Sequence, residues 1–152
     1  MKKIIITVSV LILLALSSCT TMKAVPNEKA IERFIELYNT GDAIRITEMT
    51  SIPMLIDGEI VARDSDADSF WNSLAKAGFT LNGTESYTVE PLNPKSSLYF
   101  GDSMEVSTFF TKYVPKTAVL VRVEGPGGDF ILLLSGRKGP YPFIFGFTGP
   151  LL

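Results

Sequence analysis

The sequence predicts an α+β fold in which helices come first and a sheet follows. Three observations carry this. Up to Gly78, apolar residues recur at helical spacing in two segments. From Phe79 onward the apolar period becomes two, punctuated by Gly, Pro, Asn and Asp. Between the helical segments, Asp57-Gly58 sits between Met54–Ile56 and Glu59–Val61, a strong two-residue hairpin signal. Helices and a hairpin in about forty residues cannot bury their apolar faces alone, so they need the later strands as a partner layer.

The chain has 152 residues and opens with Lys2 and Lys3, an apolar run from Ile4 to Leu16, and then Ser17, Ser18 and Cys19. That run is too short to span a bilayer as a helix but suits a signal-peptide core. Small residues before Cys19, the only cysteine, resemble the lipoprotein box of bacteria. The resemblance implies cleavage before Cys19, lipid on its sulfur and a membrane tie through that lipid, placing the protein in the cell envelope. Thr20 follows the cysteine rather than Asp, which favours the outer membrane where two membranes exist. Residues 1–18 are thus read as leader, 19–26 as lipidated tether and 27–152 as one domain.

Asn27 is positioned to cap the first helix, with Glu28 in its opening turn. Ile31, Phe34, Ile35 and Tyr38 make one apolar face, and Gly41 ends the helix. Asp42 can cap a short second helix, Ala43 to about Met49, which Pro53 closes. Ser65 and Asp68 read as a variant capping box for a third helix with Phe70, Trp71, Leu74 and Ala77 on its buried face and Gly78 as its stop. Strands are expected at about Tyr87–Leu92, Met104–Val114, Thr117–Glu124, Asp129–Ser135 and Phe143–Thr148, in an antiparallel meander. The run Phe130–Leu134 is apolar on both faces and should be central.

Composition removes whole classes of chemistry. There is no histidine, which excludes Ser-His-Asp triads, Cys-His pairs and two-histidine zinc helices. One cysteine allows neither an internal disulfide nor a multi-thiolate metal site. The acidic run Asp64, Asp66 and Asp68 lacks the glycine and final Glu of a calcium loop and reads as helix capping. No metal or cofactor is expected. Loss of Lys2 and Lys3 with the leader leaves 12 basic against 16 acidic groups, a net of −4, which argues against nucleic acid as a partner.

An amphipathic helix ending in Asn39, Gly41 and Asp42, a short helix, the Asp57-Gly58 hairpin and a helix carrying Phe70-Trp71 resemble the nuclear transport factor 2-like superfamily. The resemblance covers about residues 28–148. It implies three N-terminal helices packed in a strongly curved antiparallel sheet, a cone-shaped, cystatin-like roll with an apolar pocket. It also sets Asp57 where the ketosteroid isomerases of that superfamily carry their general base. Phe34 falls where those enzymes carry an oxyanion-stabilising tyrosine, and it has no hydroxyl to donate.

Phe34, Tyr38, Trp71, Phe109 and Tyr113 are the candidate pocket residues, because aromatic rings, some with a polar tip, suit an apolar ligand with a few oxygens. The competing reading places them in the core. Three functions follow: a tethered module binding an apolar small molecule or lipid, a docking subunit for an envelope protein, or an isomerase- or hydrolase-type enzyme using Asp57 as base. The first is favoured on the residues alone, and a homodimer is left open. A continuous pocket above about 300 Å³ would support ligand binding. A filled interior beside an exposed apolar patch would support docking.

Overall fold

In a computed structural model, residues 28–81, 86–136 and 141–151 are described. The leader, Cys19, the tether and the Asn27 cap lie outside them. Helix α1 (Glu28–Asn39) buries Ile31, Phe34, Ile35 and Tyr38, the stripe its spacing predicts. It ends where Gly41 takes φ 72°, with the Gly41 and Asp42 amides donating back to the Tyr38 and Leu37 carbonyls. The Asp42 carboxylate then accepts the Arg45 amide and caps α2 (Ala43–Met49).

Strand β1 (Thr50–Ile56) follows directly, and Pro53 lies inside it rather than closing the helix. Thr50 already has extended dihedrals, so α2 stops three residues before the proline. The hairpin to β2 (Glu59–Val61) turns through Asp57 and Gly58, both at positive φ (47° and 88°). Helix α3 (Asp64–Ala77) starts two residues earlier than a Ser65 cap requires, with Arg63 in the cap position. Ser65 therefore sits within its first turn and donates to Asp66 instead of capping. Ala67 and Trp71 are buried on α3, Phe70 and Leu74 are half-buried, and Ala77 is exposed, so the buried face is centred one turn earlier than expected. Gly78 ends α3 in the left-handed conformation.

After β3 (Tyr87–Pro91) comes a short 3₁₀ turn (Ser96–Tyr99) and then the main departure from expectation. Met104–Tyr113 is helix α4, not a strand. Ser103 caps it by accepting the Val106 amide at 3.2 Å, Glu105 stands in the first turn and Lys112 in the last. Val106 and Phe109 are buried, and Phe110 and Tyr113 are more exposed on the same flank; the four are spaced i, i+3, i+4 and i+7. The threonines and aromatics of this segment suit a strand, which hid that stripe from a period-two reading.

Strands β4 (Val119–Gly125), β5 (Gly128–Ser135) and β6 (Phe143–Leu151) complete one six-stranded sheet in the order β2-β1-β6-β5-β4-β3. The sheet is mixed, not wholly antiparallel, because the last strand returns to the middle and runs parallel to β1. Each face carries its own core. Helices α1, α2 and α3 bury Phe34, Ile46 and Trp71 against Val121, Leu132 and Phe147. On the other face, Phe100, Val106 and Phe109 cover Leu55, Leu120, Ile131, Leu133 and Phe145. The central β5 is buried on both faces, as its apolar run requires. No helix among the described residues is long and apolar enough to cross a membrane.

Candidate functional site

The five candidate pocket residues divide between the two faces of the sheet. Phe34, Tyr38 and Trp71 meet on the α1–α3 side. Phe34 and Tyr38 each place a ring edge-on or tilted to Trp71, at 6.3 and 6.4 Å between centroids. Phe70 and Phe147 close on Trp71 at 4.9 and 5.4 Å. These are ordinary aromatic core contacts, and each of the three rings is at most 5% exposed. The indole N–H of Trp71 donates to the Thr50 hydroxyl at 2.9 Å, and that hydroxyl donates to the Ile46 carbonyl. The Tyr38 hydroxyl is different. It is buried and has no hydrogen-bond partner among the described residues. Burial pushes the phenol up to about 12.

Asp57 sits at the exposed tip of the β1–β2 hairpin, outside this aromatic cluster. Its carboxylate accepts the Gly149 amide at 3.0 Å, and its own amide donates to the Phe147 carbonyl. Its side chain thereby fastens the hairpin to β6. An aspartate at positive φ with a backbone donor on its oxygen is fully accounted for as a turn residue. A general base needs an apolar, partly desolvated setting, and this one is exposed.

Phe109 and Tyr113 lie on α4, across the sheet, where they border an open groove of about 390 Å³ together with Ile60, Met104, Glu105 and Lys112. Three features of the chain build it. Capping by Ser103 starts α4 so that Met104 projects from its first turn, 83% exposed. Ile60 pairs with Leu55 and shares its face of the sheet, so it projects toward α4 from an edge strand with no outer neighbour; it is 42% exposed. Tyr113 in the last turn is 38% exposed, with the Lys112 ammonium 5.0 Å from its ring centroid. Phe109 forms the buried floor.

Sequence reasoning found Phe109 and Tyr113 but missed Ile60 and Met104. Ile60 carried a signal, being an apolar residue in the outer arm of a hairpin three residues long. Met104 carries none in a segment whose residue types favour a strand. Chemically, the groove offers apolar contact from Ile60, Met104 and Tyr113 and two opposite charges, Glu105 and Lys112. Among the described residues no group of three or more acidic or cysteine side chains could hold a metal ion. Asp68, from the acidic run, accepts the Asn72 amide at 3.0 Å and the Thr47 hydroxyl at 3.4 Å. No protein-family profile, characterised protein or solved structure matches this chain.

Proposed function

We propose that this chain is a lipid-anchored, non-catalytic protein of the cell envelope that docks a protein partner in the groove between α4 and β2. The observation that carries the proposal is the exposure of Met104, Ile60 and Tyr113 around one groove, while Phe34, Tyr38 and Trp71 fill the space between the helices and the sheet with their own rings. Clustered apolar exposure of this kind marks interaction surfaces. Kinship with the nuclear transport factor 2-like superfamily rests on the sequence resemblance over about residues 28–148. In that reading the helix side is the inside of the cone and α4 is an addition to its outer face.

The test places a photo-crosslinking side chain at Thr108 of the groove and, as control, at Lys76 on α3. Expected in cells is a protein adduct from position 108 that disappears with Ile60→Asp, and none from position 76. Equal labelling at both positions, or none at 108, would remove the proposal. The unpaired Tyr38 hydroxyl favours a second reading, an apolar ligand in the helix-side interior that offers it an acceptor oxygen.

A further inference from the structure

We infer that the occupant of the groove is a second copy of this chain, with the two α4 helices packed antiparallel across a two-fold axis between Thr108 and Phe109. This rests on the docking reading above and goes further by naming the partner. The inference comes from the order of charges along α4. Glu105 and Lys112 both border the groove, and neither has an ion-pair partner among the described residues. They are seven residues apart, so at about 100° per residue they point within about 20° of one another. Their separation along the axis is about 10 Å, too far to pair within one helix. Each charge is thus on the docking face without an ion-pair partner among the described residues, Lys112 having only the Tyr113 ring beside it.

A two-fold axis at the midpoint of that span sets Glu105 of each copy level with Lys112 of the other. Two equivalent ion pairs form at the two ends of one contact. A parallel arrangement would set Glu against Glu and Lys against Lys. A two-fold interface must be self-complementary in this way, one patch matching itself after inversion of direction. The apolar residues obey the same symmetry. Met104 in the first turn and Tyr113 in the last come to the same end of the contact from opposite copies, with Ile60 of the edge strand beside each groove. Thr108 and Phe109 flank the line between Glu105 and Lys112 by about 50° on either side and surround the axis.

The full-length chain in its own membrane tests this by charge exchange, with Thr108→Cys as reporter. Near the axis, two such cysteines can join under mild oxidant, giving a species of twice the chain mass; Cys19 is the only native cysteine. Glu105→Lys alone, or Lys112→Glu alone, should lower the joined fraction at least tenfold, because each puts like charges opposite one another twice. The double variant E105K/K112E should restore it. Coexpressed E105K and K112E chains should join each other while failing to join themselves. Circular dichroism of each purified variant should match the parent, since both positions are exposed. Failure of the double variant to restore joining, or adducts at position 108 that contain only another protein, would overturn the second copy and leave the docking reading standing. No adduct at position 108 of any kind would overturn both.

Discussion

Tyr38→Phe removes a single oxygen from the middle of the helix-side core. The ring stays in contact with Phe34, Trp71 and Phe147, so the packing term barely changes. What disappears is a buried hydroxyl without a partner, a group that costs about 1–3 kcal/mol when left unsatisfied. Tyr38→Phe should therefore stabilise the domain by about 1 kcal/mol at pH 7, raising Tm by roughly 3–6 °C for a domain of this size. The pH dependence gives a second handle. The folded phenol titrates at about 12 and an unfolded one near 10, so the unfolded chain loses this proton first. Below about pH 10 the contribution is fully present; it falls as pH rises through about 12, by roughly 2–3 kcal/mol in all. Urea unfolding from pH 7 to 11.5 should show a steeper alkaline decline for the parent than for the variant. Loss of 1 kcal/mol or more at pH 7 would show that the hydroxyl has a partner, and identical alkaline slopes would show that burial does not raise the phenol; either result refutes the reasoning.

Asp57→Asn should stay within about 0.5 kcal/mol of the parent in urea unfolding, because Asn tolerates the positive φ and its carbonyl can accept the Gly149 amide. Asp57→Ala should cost about 1–2 kcal/mol, having neither property. Trp71→Ala and Phe34→Ala should each cost about 3–5 kcal/mol by thermal unfolding, whereas Glu36→Ala, whose partner Arg33 shares the surface, should fall within about 0.5 kcal/mol. Cys19→Ala should remove the acyl mass from the N-terminus and leave the chain unprocessed or unanchored, as read by intact mass and membrane fractionation. Soluble parent protein without acyl mass would contradict the anchor.

The parts of the fold legible in the sequence were those whose signals are local. Gly41, Asp42, Asp57-Gly58 and Gly78 mark turns and caps by backbone chemistry that acts within a few residues, and the structure places each where that chemistry requires. The stripe of α1 was equally plain. Helix α4 was not, because Val106, Thr108, Phe109, Phe110 and Thr111 favour a strand by side-chain type. Only the cap at Ser103 and the spacing of 106, 109, 110 and 113 favour the helix. A strand at 104–114 leaves the second sheet face without a covering helix, and with it no groove beside Ile60. The parallel contact of β6 with β1 joins residues about ninety positions apart and leaves no local trace. The same distance effect separates Phe109 and Tyr113 from Phe34, Tyr38 and Trp71. Residue type marks an aromatic as a pocket candidate, but only the path of the chain decides on which side of the sheet it lies.

Native mass spectrometry of the polypeptide from Thr20 onward, secreted without its lipid and purified without detergent, tests the central claim most directly. If the helix-side interior is filled by its own aromatic rings and the working surface is the α4–β2 groove, the spectrum will show the bare chain and protein assemblies that Ile60→Asp dissolves. A single chain carrying a bound apolar molecule of a few hundred daltons, lost in Tyr38→Phe and untouched by Ile60→Asp, would contradict it.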